Sequence, residues 1–524
     1  MVKSPQLSWI TLIIVSFAAF IIAFDSTFMN VAIINLVKDL NTTVGTVQAI
    51  ITIYALVMAS LMLLGAKLQD IVGRKKIFLI GAVIYGIGTL IAALSINDIM
   101  LLVGWSILEG VGAALMLPAT ASIITSTYEG ARRKFAFGIW TGVTAMAAAV
   151  GPLLGGFLIT FFSWRYGFAM ELIIIIVILS TSKWITGSPV QMKWGDLDIS
   201  GALLSAAGIF LIVLGILMLN DLSKWKIVPL LIIPGLIMLI GFYFSQKRRI
   251  KNEKEPLLDI NLFKNRTFTL GNVVRILGNV GVAGLIFIIP IFMQTVLGAN
   301  ALITGIALLP LIASVLIISL SVGRITSIIK PAYLLSIGFL AATIGCILLQ
   351  NVFTVDMQLI DIIPGTALIG IGCGLIFPVS VDMVLTSAGE KQSDASGVAN
   401  TTSSLGSSIG TALIGVVLIL GIFTGISNAV AQDFPGEYTQ QELNQNIHGW
   451  VQKLKTTNLS DLTGAERSTV IQIADSAIAN AMKDAVYGLM VMFLFGFIIS
   501  LFIQPDKEIS RNIEERTAKK AKTG

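Results

Sequence analysis

Apolar positions in this chain gather into blocks of about 20 residues, the length an α-helix needs to cross a hydrocarbon core. The blocks recur from near residue 18 to near residue 491, separated mostly by short polar breaks, and their number predicts fourteen spanning helices. A membrane β-barrel would alternate apolar and polar residues over much shorter segments, so helices are implied. One break is different: residues 425–480 are long, polar and mildly acidic. Within it, apolar positions in "TQQELNQNIHGWVQKLK" and "GAERSTVIQIADSAIANAMK" recur at helical spacing, which predicts a small helical hairpin on the outer face, with the lone His448 on its solvated surface.

Composition agrees with an all-α polytopic membrane protein. Of 524 residues, 55% are hydrophobic and only 12% charged, where soluble domains carry about 25% charged residues. The net charge of +6 comes mainly from short connections, so it reads as a topology signal before any idea of nucleic-acid binding. Arg74-Lys75-Lys76, Arg132-Arg133-Lys134, the run from Lys247 to Arg266 and the tail from Lys507 to Lys522 all fall on one side if the span count is fourteen. The positive-inside rule makes that side the cytoplasm, with both termini there; Lys224 and Lys226 weaken the rule slightly. The first block lacks a cleavage site and is expected to stay as an anchor. Cys346 and Cys373 lie inside apolar blocks and read as packing residues. No nucleotide loop, metal cluster or nucleophile constellation stands in a polar segment, so the chain does not read as an enzyme and no cofactor is expected.

Several motifs point further. Between spans 2 and 3 stands "AKLQDIVGRKK" (66–76), where Gly73 supplies a tight turn and Asp70 can cap a helix or pair with a base. Its Leu68, Asp70, Gly73, Arg74 and Lys75 resemble the signature loop of the major facilitator superfamily, with Ala66 where that loop usually begins with glycine. Span 5 carries "GIWTGVTAMAAAVGPLLGGFL", which resembles the antiporter motif of the drug exporters at Gly138, Gly151, Pro152, Gly155 and Gly156. Small residues there permit close helix approach, and Pro152 frees a backbone carbonyl. In span 1, "AFDSTFMNVAI" is similar to the signature of the fourteen-span drug:proton antiporters of the QacA and EmrB type: Asp25, Thr27, Asn30 and Ala32 match, and Ile34 replaces a frequent proline. "SWRYGF", "PLLDINLFKNRTF", "QTVLGANALITGIALLP" and "ASGVANTTSSLGSSIGTAL" resemble later landmarks of that group.

The resemblance implies a major facilitator fold. Residues 1–190 would form an N-terminal six-helix bundle, 191–250 an inserted pair (spans 7 and 8), and 251–524 a C-terminal six-helix bundle bearing the outer hairpin. A cavity between the bundles, lined by spans 1, 4, 9 and 12, would open alternately to each side.

An ionisable side chain within a span costs about 2.5–3.5 kcal/mol on insertion scales. Five stand there: Asp25, Glu109, Glu171, Arg275 and Asp382. Asp25 lies deep in span 1 and is the leading proton acceptor, with Asn30 one turn beyond. Glu109 falls where the group's span 4 motif has a Gln three positions after an Arg; Ser106 stands in the arginine's place, so that arginine's part in proton transfer is not carried over. Glu109 beside the Ser106 hydroxyl reads either as a proton carrier or as a contact for a cationic substrate. Arg275 and Asp382 fall toward the cytoplasmic ends of their spans, where an ion pair, snorkelling and substrate contact are all open. Glu171 reads as an interfacial acid near the outer mouth. Asp70 and Arg74 are expected to hold a cytoplasmic gate by charge pairing.

These readings converge on a proton-coupled antiporter, functional as a monomer among membrane lipids, that exports cationic or neutral lipophilic drug-like compounds and confers antibiotic resistance, energised by the proton gradient. The alternatives are an exporter of an endogenous lipid or metabolite, or a non-transporting sensor or scaffold using the outer hairpin as a binding surface.

Overall fold

The computed structural model describes residues 5–128, 130–185, 197–219, 225–326, 328–433 and 464–503. Fourteen long helices account for the apolar blocks: α1 (Pro5–Val31), α2 (Val44–Val72), α3 (Arg74–Ala93), α4 (Asp98–Thr127), α5 (Gly130–Phe161), α6 (Arg165–Ser180) and α7 (Ile199–Met218). They continue as α8 (Val228–Lys251), α9 (Arg266–Thr295), α10 (Ala301–Ile325), α11 (Pro331–Gln350), α12 (Ile362–Ser387), α13 (Gln392–Asp433) and α14 (Gly464–Leu501). Among the described residues thirteen are long and apolar enough to cross a membrane; α6, with 16 residues, is a little short of the usual span.

The packing is a repeat. In the first half α1 packs on α4, α5 and α6, α3 on α4 and α6, and α2 on α4; in the second, α9 packs on α12, α13 and α14, α11 on α12 and α14, and α10 on α12. The halves meet reciprocally, α2 on α13 and α5 on α10. Gln48 donates to the Thr411 carbonyl at 2.9 Å and Ser408 to the Thr52 carbonyl at 3.2 Å across the first contact. At the end opposite the basic loops, Gln294 on α9 donates to the Val31 carbonyl of α1 at 2.9 Å.

The inserted pair joins one side of this interface: α7 lies against α2 and α13, and α8 against α7. Only 11% of the most apolar stretch of α8 is buried, as suits a helix presented to lipid. Asp198 fastens the pair. It caps α7 by accepting from Gly201 N–H at 2.9 Å, takes the Ser200 hydroxyl at 2.8 Å and the Gln246 amide of α8 at 2.6 Å, and pairs with Arg249 at 3.6 Å. Gln246 then accepts from Leu257 N–H at 2.9 Å, tying α8 to the chain leading into α9. Burial alone would raise the Asp198 carboxyl, but these donors overcome it and hold it below the ordinary carboxylate value. A carboxylate lowered in the folded state stabilises fully above about pH 4 and loses that contribution as pH falls through its native value. Asp198→Ala is therefore expected to cost about 1–2 kcal/mol, read as a lower melting temperature in detergent at neutral pH, with the gap from wild type closing in strong acid.

Of residues 425–480, expected to hold the outer hairpin, only the flanks are described. α13 continues to Asp433, and "GAERSTVIQIADSAIANAMK" is the first half of α14, continuous with the last span. No turn separates the polar and apolar stretches because good helix formers run through the junction. "TQQELNQNIHGWVQKLK", with His448, lies outside the described residues.

Candidate functional site: a buried carboxyl cluster

Three acids meet inside the first bundle. Asp25 from α1, Glu109 from α4 and Glu171 from α6 each have no exposed surface, and one oxygen of each lies within 4.8 Å of the others. Glu171 is thus not the interfacial acid that its place near the start of α6 suggested: the crossing of α6 with α1 and α3 carries it into the core. At a rise of about 1.5 Å per residue, Asp25 and Glu171 both lie roughly 9 Å from their helix ends at the face opposite the basic loops.

Donors and aromatic rings hold the cluster. Trp105 donates its indole N–H to Asp25 Oδ2 at 2.7 Å, and Tyr85 on α3 donates its hydroxyl to Glu171 Oε2 at 3.0 Å. Tyr54 of α2 stacks on Trp105 at 5.3 Å, and Phe168 meets Trp105 and Phe28 edge-on at 6.3 and 5.9 Å. Five helices therefore enclose a buried, low-dielectric site. Among the described residues no Lys, Arg or His pairs with any of the three acids. Asp25 Oδ1, both Glu109 oxygens and Glu171 Oε1 meet no donor at full hydrogen-bond geometry, although the Tyr54 hydroxyl lies beside Asp25 and the Thr89 and Tyr85 hydroxyls lie beside Glu109.

The backbone of α4 is specialised beside the site. Leu102–Glu109 is wound as a π-helix, so α4 is locally wider as it delivers Trp105 and Glu109 to the interior; such bulges recur at functional sites. Its tight partner is Gly88 on α3, where an added Cβ would stand 2.8 Å from Glu109 N. Ser106, expected beside Glu109, instead donates to the Ile50 carbonyl of α2 at 2.7 Å and so fastens α4 to α2. Asn30 is buried and donates to the Ser26 carbonyl of its own helix at 3.0 Å.

The other embedded charges lie apart. Arg275, 9% exposed, donates through Nε to the Ala399 carbonyl of α13 at 2.8 Å. Asp382 is exposed, and no ion pair with Arg275 occurs among the described residues. A polar seam continues from Arg275: Asn279 donates to Ser403 at 3.3 Å, and Thr402 to Asn272 at 3.2 Å.

At the basic end, Gly73 separates α2 from α3 with φ of 100°, a left-handed conformation that favours glycine. Arg74 donates to the Ser122 carbonyl of α4 at 3.2 Å. The ion pair joining the halves there is Lys67–Asp394 at 3.5 Å, not one between Asp70 and Arg74. A cavity of about 470 Å³, lined by Lys67, Asp70, Arg74, Glu255, Lys391 and Asp394 among others, lies beside it.

The small residues of α5 work at two contacts. An added Cβ on Gly151 would stand 3.1 Å from the Phe24 carbonyl oxygen of α1, and one on Gly156 would stand 2.9 Å from Leu302 Cα of α10. Pro152 is also at this seam: a Cβ on Gly305 of α10 would lie 2.8 Å from its carbonyl carbon. Gly155 lies against Phe28. The side-chain surroundings of Gly138 lie outside the described residues.

Sequence reasoning singled out Asp25 and Glu109 but not Trp105, Tyr54 or Tyr85. The available signal for Trp105 was its place one turn before an embedded acid.

A repeated helical architecture with ionisable groups sealed in one half defines a membrane transporter. The sequence profile described as Major Facilitator Superfamily matches residues 15–196 and 197–411, and the chain belongs to that superfamily. It is 26% identical to the methylenomycin A resistance protein of Bacillus subtilis (strain 168) over 80% of this chain and 89% of that protein. It is 24% identical to the multidrug transporter protein MdtP of the same organism, over 96% and 94%. With the multidrug efflux pump LfrA of Mycolicibacterium smegmatis the identity is 27% over 79% and 82%. Among solved structures, a bacterial homologue of the human lysosomal transporter Spinster shares the fold with a TM-score of 0.59 at 16% identity, covering 95% of this chain and 98% of that one.

Proposed function

We propose that this transporter is a proton-coupled antiporter that exports lipophilic, cationic or neutral drug-like compounds across the cytoplasmic membrane by alternating access. The observation that carries the reading is the cluster of three fully buried acids with no basic partner among the described residues. Three negative charges sealed together in a low-dielectric core repel one another strongly, so the site gains from taking up protons and is costly to leave bare. At zero exposure no bulky substrate reaches Glu109 in this arrangement, which favours proton carriage by Glu109 over substrate contact. The names of the relatives support a drug-like substrate.

In this reading residues 1–190 and 251–524 are the two moving bundles and 191–250 the inserted pair. They rock about the α2–α13 and α5–α10 contacts, with Lys67–Asp394 as the inner latch. Protons enter the cluster from the outer side, and their release is linked to substrate exit. The basic loops and both termini face the cytoplasm by the positive-inside rule.

The test is efflux from proteoliposomes under an imposed pH gradient, using a panel of lipophilic cations, neutral drugs and lipids. Wild type is expected to move at least one lipophilic cation or neutral drug with the gradient, and Glu109→Gln to lose the dependence on the gradient. Movement of lipids alone, or undiminished gradient-driven efflux by Glu109→Gln, would overturn the reading.

A further inference from the structure

The chain joining α8 to α9 carries "PLLDINLFKNRTF", and polar contacts pin it at both ends. At α8, Gln246 accepts from Leu257 N–H at 2.9 Å and Leu258 N–H at 3.3 Å, while Arg249 Nε donates to the Glu255 carbonyl at 3.0 Å. Gln246 is fully buried and its amide also donates to Asp198, so it relays the inserted pair to this segment. Further on, Asp259 caps the short turn Ile260–Lys264 by accepting from Asn261 N–H at 2.9 Å, and pairs with Lys391 between α12 and α13. Asn265 caps α9, accepting from Thr267 N–H at 2.9 Å, and donates to the Ser387 carbonyl at the end of α12 at 3.1 Å. Among the described residues no hydrogen bond or ion pair ties residues 256–265 to the first bundle.

With the polar groups held at the edges, the leucines are buried. Leu257, Leu258 and Leu262 share one apolar cluster with Leu63 of α2, Ala202 of α7 and Val398 of α13, so both bundles and the inserted pair meet there. A narrow crevice runs between Leu63, Ala66 and Lys67 of α2 on one side and Leu257, Asp394 and Gly397 on the other. A Cβ on Gly397 would stand 3.4 Å from Leu63 Cδ2, so the two sides touch. Directional bonds thus fix the segment to the inserted pair and the second bundle, whereas apolar contact alone holds it to the first. Such a contact can part without leaving polar groups unsatisfied. We propose that residues 256–265 are a strap that closes the cytoplasmic end: it travels with the second bundle, seats Leu257 against Leu63 in the closed state, and leaves that seat when the inner side opens. The inserted pair is its anchor. Opening exposes the leucines to water, so the seat biases the inner side toward closure.

The inference rests on the alternating-access reading, but its first test needs neither substrate nor gradient. Ser404, 6% exposed, lies on the α13 face that meets α2, between Gly397 and Ser408, and both native cysteines are buried. In inverted membrane vesicles the thiol of a Ser404→Cys variant is expected to react slowly with a membrane-impermeant maleimide. Adding Leu257→Ser should speed that reaction at least about fivefold by weakening closure. Adding Leu236→Ser instead, at an α8 position that is 48% exposed, should leave the rate unchanged. Thermal melting that matches wild type is the condition for comparing variants. A second measurement leaves the strap in place: a Leu63→Cys, Leu257→Cys pair bridged by a short bis-methanethiosulfonate reagent should lose counterflow of a lipophilic cation or neutral drug, and regain it on reduction. Unchanged labelling in a folded Leu257→Ser variant, a pair that the reagent does not bridge, or counterflow persisting in bridged protein would overturn the strap. If the strap fails these tests while gradient-driven efflux persists, it falls alone; if labelling responds as expected but Glu109→Gln keeps gradient-driven efflux, the proton reading falls alone.

Discussion

Asp25→Asn is expected to cut uphill efflux steeply while leaving exchange of substrate between the two sides largely intact. Asparagine nearly matches the shape of aspartate and still accepts the Trp105 N–H at its carbonyl oxygen, so α1 should keep its place against α4. It cannot take up a proton. A membrane potential of about 100 mV supplies some 2.3 kcal/mol per charge carried, which is roughly fiftyfold in substrate concentration. Losing one coupled proton should therefore reduce the concentration gradient that the protein can sustain by about that factor. Steady-state accumulation in proteoliposomes measures the loss, and counterflow without a gradient separates lost coupling from lost folding. Full uphill transport by Asp25→Asn would remove Asp25 from the proton pathway.

Gly156→Val should fail differently, losing counterflow as well as uphill efflux. The Cβ alone would stand 2.9 Å from Leu302 Cα, and a backbone neighbour in a packed helix gives way only by moving the helix. Overpacking of this kind costs about 1–3 kcal/mol, and here the cost falls on whichever state closes α5 against α10. A bias of that size shifts the two-state equilibrium by about five- to 150-fold, so one half of the cycle becomes rarely visited. The control is Gly142→Ala on the same helix, where an added Cβ meets nothing within 4 Å and counterflow should stay near wild type. Wild-type counterflow in Gly156→Val would show that the α5–α10 contact need not close tightly.

The helical architecture was largely legible because it is written in long apolar blocks and in basic loops, signals that survive without tertiary information. Asp25 and Glu109 were legible for the same reason, since any acid in such a block asks for a partner. What the partner is depends on helix crossing. Glu171 looked interfacial because linear distance from the start of α6 is a poor measure of burial where a helix packs against two others near its end. Ser106 looked like the neighbour of Glu109 at α-helical spacing, but the π-helical winding of Leu102–Glu109 changes which side chains share a face, and no residue pattern announced it. Arg275 and Asp382 are opposite charges on adjacent helices, yet a backbone carbonyl on a third helix takes the guanidinium. At the basic end the ion pair between the halves, Lys67 with Asp394, joins residues far apart in sequence, so the motif residues Asp70 and Arg74 that line the cavity beside it could not announce it.

The central claim is that Asp25, Glu109 and Glu171 hold the protons that substrate displaces. Proton release on adding a transported substrate to the detergent-solubilised protein, followed in weakly buffered solution, tests it most directly. Wild type is predicted to release protons saturably with substrate, and the Asp25→Asn, Glu109→Gln, Glu171→Gln triple variant to bind substrate and release none. Equal release from a folded triple variant would contradict the account.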